Sequence, residues 1–388
     1  MKVVIAGYGA VGSVLAKLLV KDKSIESIHC LDLKFSERPD SKKIVFKVFN
    51  ILEKDKLINY LKELKPDVAV NVLHPKFNAN ILECCAEAGV NYLDTASFWD
   101  IDLRPNAKVP YKMEQLDFNE KFTANNILGL IEAGVAPGLD NLMAAECASH
   151  LDYVEEIKIR MVEDTGSKKL FFSWSKEWLL DELATKPIIY ENGKFKFVEN
   201  FGGEEDYNFP APIGRRKTYY FAQDEVGSIP FYIKTRKTDV KIYDNNIKVL
   251  KLLSSLGVTS NKPIKVGEAE VKPVDVLARL LPDPELGEER NFPEAVFAMA
   301  VEAIGMKRGK KKSVKFSVVF PNQKTIQRLN LDANFISYPT ALSAALFALA
   351  IPKINKTGVF PPEAIPKEIR HSILRQLPKF HIKTHKNF

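Results

Sequence analysis

The opening sixteen residues restrict the folds open to this chain more than any other stretch. Lys2-Val3-Val4-Ile5-Ala6 is a short apolar, β-branched run that predicts a buried strand. It turns through Gly7-Tyr8-Gly9-Ala10-Val11-Gly12 into Val11–Val20, whose apolar residues recur at helical spacing. The three glycines have separate steric tasks. Gly7 permits a tight turn, Gly9 lets a pyrophosphate approach the backbone, and Gly12 lets the helix lie close to the strand. The helix N-terminus then offers N–H groups and the positive end of its dipole to the phosphates. A second predicted strand, Ser27–Leu33, carries Asp32 about twenty residues beyond the last glycine, where a carboxylate accepts the ribose hydroxyls. This pattern is a dinucleotide-binding βαβ unit. Asp32 favours NAD because a carboxylate repels a 2′-phosphate, while Lys34 and Arg38 close behind it leave NADP open.

The next hundred residues continue the alternation. Strands are expected at Ile44–Phe49, Asp67–Leu73, Asn91–Asp94 and Asn126–Ile131, with helices at Lys54–Leu64, Phe77–Ala88, Met113–Ala124 and Gly138–His150. Such a series predicts a parallel, doubly wound sheet with ligands at the carboxyl ends of its strands. Beyond Val154 the pattern changes. Glu155–Val162 alternates as a half-buried strand, Trp174–Leu183 reads as a helix, and Pro187–Val198 reads as a hairpin around Asn192-Gly193. Further alternating runs lie at Lys217–Phe221, Pro230–Thr235, Val240–Tyr243 and Val314–Phe320, with helices at Asp244–Leu256 and Pro273–Leu281. Glu294–Met306 fits neither pattern clearly. This half predicts an antiparallel α+β unit. Thr340–Ala350 is an apolar helix, and Gly358–Pro362 is read as a turn.

Three loops after strands carry groups capable of chemistry: Asn71-Val72-Leu73-His74-Pro75, Asp94-Thr95-Ala96-Ser97 and Glu132-Ala133-Gly134-Val135-Ala136-Pro137-Gly138-Leu139-Asp140-Asn141. In a parallel sheet these loops converge near the reactive ring of a bound dinucleotide. Asp140 fits either a helix cap or a group that orients an amine. His74 fits either a general base or an ordinary loop residue before Pro75, and Asp94 and Thr95 compete with plain turn hydrogen bonding.

Bulk properties narrow the alternatives. A chain of 388 residues exceeds one compact core, so two domains are the default. The formal charge of +7 is not one stripe: it gathers at Lys307–Lys312 and Lys367–Lys386, against acidic runs at Glu199–Asp206 and Asp283–Glu289. A basic hairpin turn and a solvated tail explain it without nucleic acid. Cys30, Cys84, Cys85 and Cys147 form no CxxC pair, which suits core thiols in a reducing compartment, and no metal site is expected. The immediate start of the first strand leaves no room for a signal peptide, and Ala341–Ile351 is too short to cross a bilayer. A cytoplasmic protein with neither a nucleic-acid nor a membrane partner is the expectation.

The glycine-rich unit, Gly134-Val135-Ala136-Pro137-Gly138-Leu139-Asp140-Asn141, Phe172-Ser173-Trp174-Ser175 and Thr357-Gly358-Val359-Phe360-Pro361-Pro362-Glu363 occur in this order. Together they resemble the saccharopine dehydrogenase (reductase) family, which includes lysine 6-dehydrogenase and carboxynorspermidine dehydrogenase branches. The resemblance spans nearly the whole chain. It implies a Rossmann domain (1–130), an inserted α+β substrate and dimerisation domain (131–335), and a C-terminal helix returning to the Rossmann domain followed by a tail (336–388). It also implies a homodimer and NAD(P)-dependent hydride transfer at a C–N bond of a lysine-like amino acid or a polyamine. Its non-catalytic rival is a dinucleotide-sensing binding protein.

On this reading Gly7, Tyr8, Gly9, Ala10, Val11, Gly12, Asp32, Leu73, His74, Thr95 and Pro137 serve the cofactor. Ser97, Asn141, Ser173, Trp174, Arg215 and Arg216 serve the substrate, the two arginines as partners for a substrate carboxylate or else as plain surface residues. Asp94 and Asp140 are the candidates for contacting the reacting nitrogen. One loop departs from the family pattern. Gln223-Asp224-Glu225-Val226-Gly227-Ser228-Ile229-Pro230-Phe231 carries acidic residues where neutral ones are usual, and Phe231 where an arginine is usual. If this loop faces the ligand, it favours a cationic amine over an extra carboxylate.

Overall fold

The computed structural model describes residues 1–35, 38–97, 113–167, 176–281 and 291–388, with the backbone alone at positions 176–178 and 181. Ser173 and Trp174 lie outside the described residues.

The first part of the chain forms β1 (Lys2–Ala6), α1 (Ala10–Leu19), β2 (Ser27–Asp32), β3 (Ile44–Val48), α2 (Lys54–Leu64), β4 (Val68–Asn71), α3 (Asn78–Ala88), β5 (Asn91–Asp94), α4 (Asn119–Ala124), β6 (Leu128–Leu130) and α5 (Leu139–Ala148). Apolar side chains of β1 point both ways. Val3 and Ile5 join the core that holds Leu15 and Leu19 of α1, and Val4 and Ala6 join the core that holds Leu57 of α2 and Ile81 of α3. A strand buried on both faces belongs in a parallel sheet. Among the described residues the sheet order is β3-β2-β1-β4-β5-β6, all parallel, as a doubly wound fold requires. Its register puts Ala6 beside Asn71 and Asn71 beside Asp94, so their carboxyl-side loops open in one row.

The chain continues through β7 (Tyr153–Asp164), α6 (Lys176–Ala184), β8 (Ile188–Glu191), β9 (Lys194–Phe197), β10 (Glu205–Asn208), β11 (Arg215–Tyr220), α7 (Glu225–Tyr232), β12 (Lys237–Asp244), α8 (Ile247–Ser255), β13 (Ile264–Val266), β14 (Ala269–Val271), α9 (Pro273–Leu280), β15 (Val296–Lys307), β16 (Lys310–Val319) and α10 (Gln323–Gln327). It ends with α11 (Ser337–Ala350), β17 (Gly358–Phe360), α12 (Lys367–Leu374) and β18 (Lys383–Asn387). The second sheet runs β10-β11-β12-β7-β15-β16-β18, with β8 on β12 and β9 on β8. The Asn192-Gly193 hairpin is present, with φ of +52° and +81° at the two turn residues.

Four expectations need correction. The second sheet is mixed, since β7 and β12 pair in parallel from Glu156–Lys237 to Glu163–Asp244. The long connection between them supplies the crossover that parallel pairing demands, a property no local pattern reports. Pro230 belongs to α7 rather than to a strand, because Val226, Ile229 and Ile233 bury one helical face and outweigh the short alternation. Gly358–Phe360 is a strand, adding in parallel to β6 as a seventh member of the first sheet. Three residues are too few for alternation to show. The tail is not solvated throughout: α12 buries Ile373 and Leu374, and β18 extends the second sheet along β16.

The unclassified Glu294–Met306 segment becomes the long strand β15. Helix α11 is buried nearly all round, packing with α1 in one core, which explains why its sequence shows no polar face. Among the described residues no helix is long and apolar enough to cross a membrane.

Candidate active site

The glycine turn has the predicted geometry. Gly7 has φ +100°, in the left-handed region, and a Cβ on Gly12 would sit 2.0 Å from the Gly7 carbonyl oxygen, so helix and strand meet backbone to backbone. A Cβ on Gly9 would meet nothing within 4 Å, leaving an open cradle at the start of α1. Among the described residues no side chain caps that helix. Asp32 accepts from the Tyr8 N–H through Oδ2 at 2.6 Å, so it braces the turn from the end of β2. The Tyr8 ring stands edge-on to Phe35 and Phe46, and the Arg38 guanidinium lies 5.3 Å from the Phe35 ring centre. Leu73 packs against Gly7. An open phosphate cradle, a ribose carboxylate and an aromatic wall fit a dinucleotide. His74 uses Nδ1 to accept from the Lys76 N–H at 3.2 Å, the local capping role that competed with general base.

Across the row, the loop after β6 is compressed. A Cβ on Gly134 would fall 2.8 Å from the Thr95 carbonyl oxygen, and one on Gly138, at φ +136°, would fall 2.3 Å from that of Gly134. Only glycine fits these contacts, and the result delivers buried Pro137 and the N-terminus of α5 to the end of β5. Asp140 Oδ1 accepts from the N–H groups of Gly138 and Asn141 at 2.9 and 2.8 Å, and its carboxyl group faces that of Glu225. The helix-start role is thus visible on Oδ1. Asn141 Oδ1 accepts from Gly138 N–H, and its Nδ2 donates to Ser228 Oγ on α7 at 3.1 Å.

Around Asp140 the tertiary structure gathers carboxyl groups from five segments. Asp94, Glu132, Asp140 and Glu225 are fully buried, Glu363 is 6% exposed and Asp224 is 9% exposed. Asp94 is fully engaged, Oδ1 by the Glu132 N–H at 2.7 Å and Oδ2 by Gln115 Nε2 at 3.1 Å. Ser97 donates from Oγ to Glu132 Oε1 at 2.7 Å and from its N–H to Asp224 Oδ2 at 3.0 Å, tying the β5 loop to the start of α7. Glu225 faces Asp140, and Glu363 lies beside Asn141 and Ser228.

Burial dominates the electrostatics. It pushes the Asp94 carboxyl up to about 7, Asp140 to about 6 and Glu363 to about 7. Glu132 and Glu225 are driven well up, first by burial and then by neighbouring carboxylates. Among the described residues no lysine or arginine is a principal electrostatic neighbour of these five groups. Removed from water, the cluster holds protons that free carboxyls would have lost.

This has a consequence for stability. Between about pH 4 and pH 7 the unfolded chain ionises these carboxyls while the folded chain keeps their protons, so the folded state binds more protons and loses stability as pH rises. The unliganded protein is expected to melt at a lower temperature at pH 7.5 than at pH 5.5 in differential scanning fluorimetry. A higher melting temperature at pH 7.5 would contradict the burial of the cluster.

Not every expected site residue joins it. Thr95, Ser97, Pro137, Asn141, Asp94 and Asp140 come together, but Arg215 and Arg216 do not. They lie on β11 near the edge of the second sheet, where they pair with Asp206 at 2.7 Å and Asp164 at 3.3 Å, and Arg215 is exposed. Arg236 precedes β12 and reaches Asn192. Conversely, Glu132 and Glu363 were not named as site residues, and Asp224 and Glu225 were noted only as part of an acidic loop. Each stands in a segment the sequence made conspicuous, yet these segments lie as much as 231 positions apart, from residue 132 to residue 363.

Comparison with known proteins agrees with this architecture. Residues 3–130 match the family model described as the saccharopine dehydrogenase NADP binding domain, and residues 134–382 match the saccharopine dehydrogenase C-terminal domain. The chain is 29% identical over 336 residues to a carboxynorspermidine synthase of Vibrio alginolyticus, covering 84% of this chain and 78% of the relative. It is 25% identical over 382 residues to a carboxyaminopropylagmatine dehydrogenase of Synechocystis sp., covering 92% and 91%. Its fold superposes on the apo saccharopine dehydrogenase (L-Glu forming) of Saccharomyces cerevisiae with a TM-score of 0.69 at 14% identity, over the full length of both chains. With the open glycine cradle at one end of the strand row and the carboxyl cluster at the other, the chain belongs to the saccharopine dehydrogenase family and is an NAD(P)-dependent oxidoreductase.

Proposed function

We propose that this protein transfers hydride between NAD(P) and a carbon bearing nitrogen in a cationic amine, of the polyamine or lysine-like type. The observation that carries the reading is the buried carboxyl cluster, with no basic side chain among its principal neighbours in the described residues. An amine brings the missing positive charge, whereas a substrate carboxylate at this point would add repulsion. The names of the two curated relatives, both acting on polyamine-type molecules, support the polyamine branch over saccharopine itself.

When bound, the nicotinamide supplies the hydride acceptor or donor. The chain's own residues supply position and proton control. Loops after β5 and β6 hold the amine against the cofactor end of the strand row. An ammonium has no lone pair to assist departure of hydride from its carbon, so in the oxidative direction a proton must first leave the nitrogen. Asp140 Oδ2, facing Glu225, takes that proton, and a carboxyl raised to about 6 is deprotonated at neutral pH yet basic enough to hold it. Asp94, with both oxygens occupied, is a positioning residue: it fixes the Glu132 backbone and Gln115.

The test is a panel of amino acids and polyamines scanned for the absorbance change of the nicotinamide with each cofactor. Turnover of at least one polyamine or lysine-type amine is expected. Dinucleotide binding without turnover across the panel would overturn the reading. The oxidative rate is expected to rise with pH through about 6, because Asp140 must lose its proton to act as a base; a rate falling over pH 5–7 would remove Asp140 from that role.

For the cofactor, Asp32 at the end of β2 supports NAD over NADP. NAD is expected to bind about tenfold tighter than NADP in fluorescence titration, and Asp32→Ala should narrow that gap. Tighter binding of NADP, lost in Arg38→Ala, would reverse the assignment. The proposal includes a homodimeric, cytoplasmic enzyme, in keeping with the family resemblance and with four buried, unpaired cysteines.

A further inference from the structure

Donors from three elements converge on Asp94 at the end of β5. The Glu132 N–H reaches Oδ1 at 2.7 Å, and Gln115 Nε2 reaches Oδ2 at 3.1 Å. The Tyr92 hydroxyl bonds the same carboxyl, and Asn71 Nδ2 donates to that hydroxyl at 3.2 Å. With its oxygen accepting from Asn71, Tyr92 has its own proton to give to Asp94. Three donors on one buried carboxyl favour the anion. Asp94 also closes the loop after β6, because the Ala133 N–H bonds its main-chain carbonyl at 2.7 Å. Glu132, between these two contacts, has φ +56°, a left-handed conformation that a non-glycine residue adopts only when held.

Gln115 belongs to the short helical turn Glu114–Phe118 and is 2% exposed. Its amide can point only one way. Nε2 faces the Ala96 carbonyl at 3.4 Å as well as Asp94 Oδ2, and an oxygen in that place would meet two acceptors. Oε1 is thereby turned to Ser97 Oγ at 3.1 Å. Ser97 Oγ also lies 2.7 Å from Glu132 Oε1, yet a hydroxyl has a single proton to donate. Given to an ionised Glu132, that proton leaves Gln115 Oε1 bare in the interior. Given to Gln115, it requires Glu132 to carry a proton and return the bond to Ser97 Oγ. The second arrangement satisfies every atom of the chain, whereas the first costs a buried acceptor its partner. The charged groups acting on Glu132 are Asp224, Glu363 and Asp94, all acidic, so a proton there also relieves repulsion.

We infer that Gln115 is a positioning residue: its amide keeps Asp94 an anion on one side and lets Glu132 hold a proton on the other, so that the loops after β5 and β6 meet in one protonation pattern. Gln115 exchanges no proton itself. The Asp94 anion grips the Glu132 N–H through a charge-assisted hydrogen bond. That grip fixes the loop that delivers Pro137 and Asp140. The role goes beyond the proposed function, since it is the same whichever amine the enzyme takes.

Infrared spectroscopy of the full-length protein at pH 8, with its aspartate side-chain carboxyls ¹³C-labelled, tests this role. The wild type is expected to show a protonated-carboxyl band that the label does not shift and that Glu132→Gln removes. A label-shifted band that Asp94→Asn removes is expected to be absent. Gln115→Met keeps the side-chain length and deletes both amide functions. It should bring in the Asp94 band, weaken the Glu132 band, and raise the pH at which Asp94 loses its proton by about one unit. A mere packing role would leave both bands in place. Dinucleotide affinity on the same samples reports whether each variant is folded. If Glu132→Gln removes no protonated band, or if Gln115→Met leaves both bands as in the wild type, Gln115 has no such role. Should Gln115→Met fail to fold, titration of the labelled wild type decides: an Asp94 band that persists above the pH at which Glu132 ionises overturns the role, and the reverse order supports it. These bands need no substrate, so an absence of amine turnover overturns the proposed function alone.

Discussion

Replacing Asp140 by Asn lowers kcat by at least about a hundredfold, the usual scale for removing a general acid–base group, while dinucleotide affinity stays unchanged. The substitution is informative because Asp140 divides its work between its oxygens. Oδ1 accepts from Gly138 and Asn141 and holds the start of α5, a task an amide oxygen performs equally well. Oδ2 faces the Glu225 carboxyl group, and there an amide cannot accept and release a proton. The Asn variant therefore keeps the helix start and loses the proton function. Glu225→Gln is expected to lower kcat as well and to shift the pH profile, since the Glu225 carboxyl hydrogen-bonds Asp140 and opposes the rise that burial imposes on it. Near-normal kcat in both variants would remove this pair from the reaction.

The second large effect is on stability. Arg370 of α12 donates from Nε to Glu146 Oε2 on α5 at 2.9 Å, with both side chains buried, at 7% and 5% exposure. Arg370→Met leaves Glu146 in the interior with only His371 at 3.0 Å and His150 at 3.3 Å to compensate. Breaking a buried pair by removing one partner costs about 3–5 kcal/mol, and the two histidines place this case near the lower end. Denaturant unfolding should show the loss as a shifted midpoint. The pair has a functional side, because α5 carries Asp140 and Asn141 while the segment leading to α12 carries Glu363. Loosening the join should raise KM for the amine before it affects dinucleotide binding. Arg370→Lys should restore most of the stability. An unchanged midpoint in Arg370→Met would mean that Glu146 is solvated or reprotonated at no cost.

The dinucleotide end was legible because its determinants are local. Gly7, Gly9 and Gly12 act within one turn, and Asp32 follows at the distance set by one helix and one strand. Alternation likewise revealed the six sequential strands of the first sheet, whose apolar runs are fixed by burial on both faces. The acidic loop at Asp224 and Glu225 was conspicuous in sequence, and it packs beside the β5 loop through the Ser97 N–H. The place of Arg215 and Arg216 stayed open because an arginine in sequence carries no record of its partners; Asp206 and Asp164 engage them apart from the carboxyl cluster.

Short or non-local pairing stayed hidden. Gly358–Phe360 becomes a strand only because β6 offers an open edge, and β7 and β12 run parallel only because the long segment between them crosses over. The charged end of the chain joins the second sheet because backbone pairing with β16 tolerates lysines on the outer face.

The sequence by itself determined that the chain carries a dinucleotide-binding unit on a first parallel sheet, and it offered Asp94 and Asp140 as candidates to meet a substrate nitrogen. Tertiary structure alone assembled the carboxyl cluster. Glu132, Glu225 and Glu363 join it only when three distant segments close on one another, because a carboxyl group gains proton affinity when its neighbours take away water.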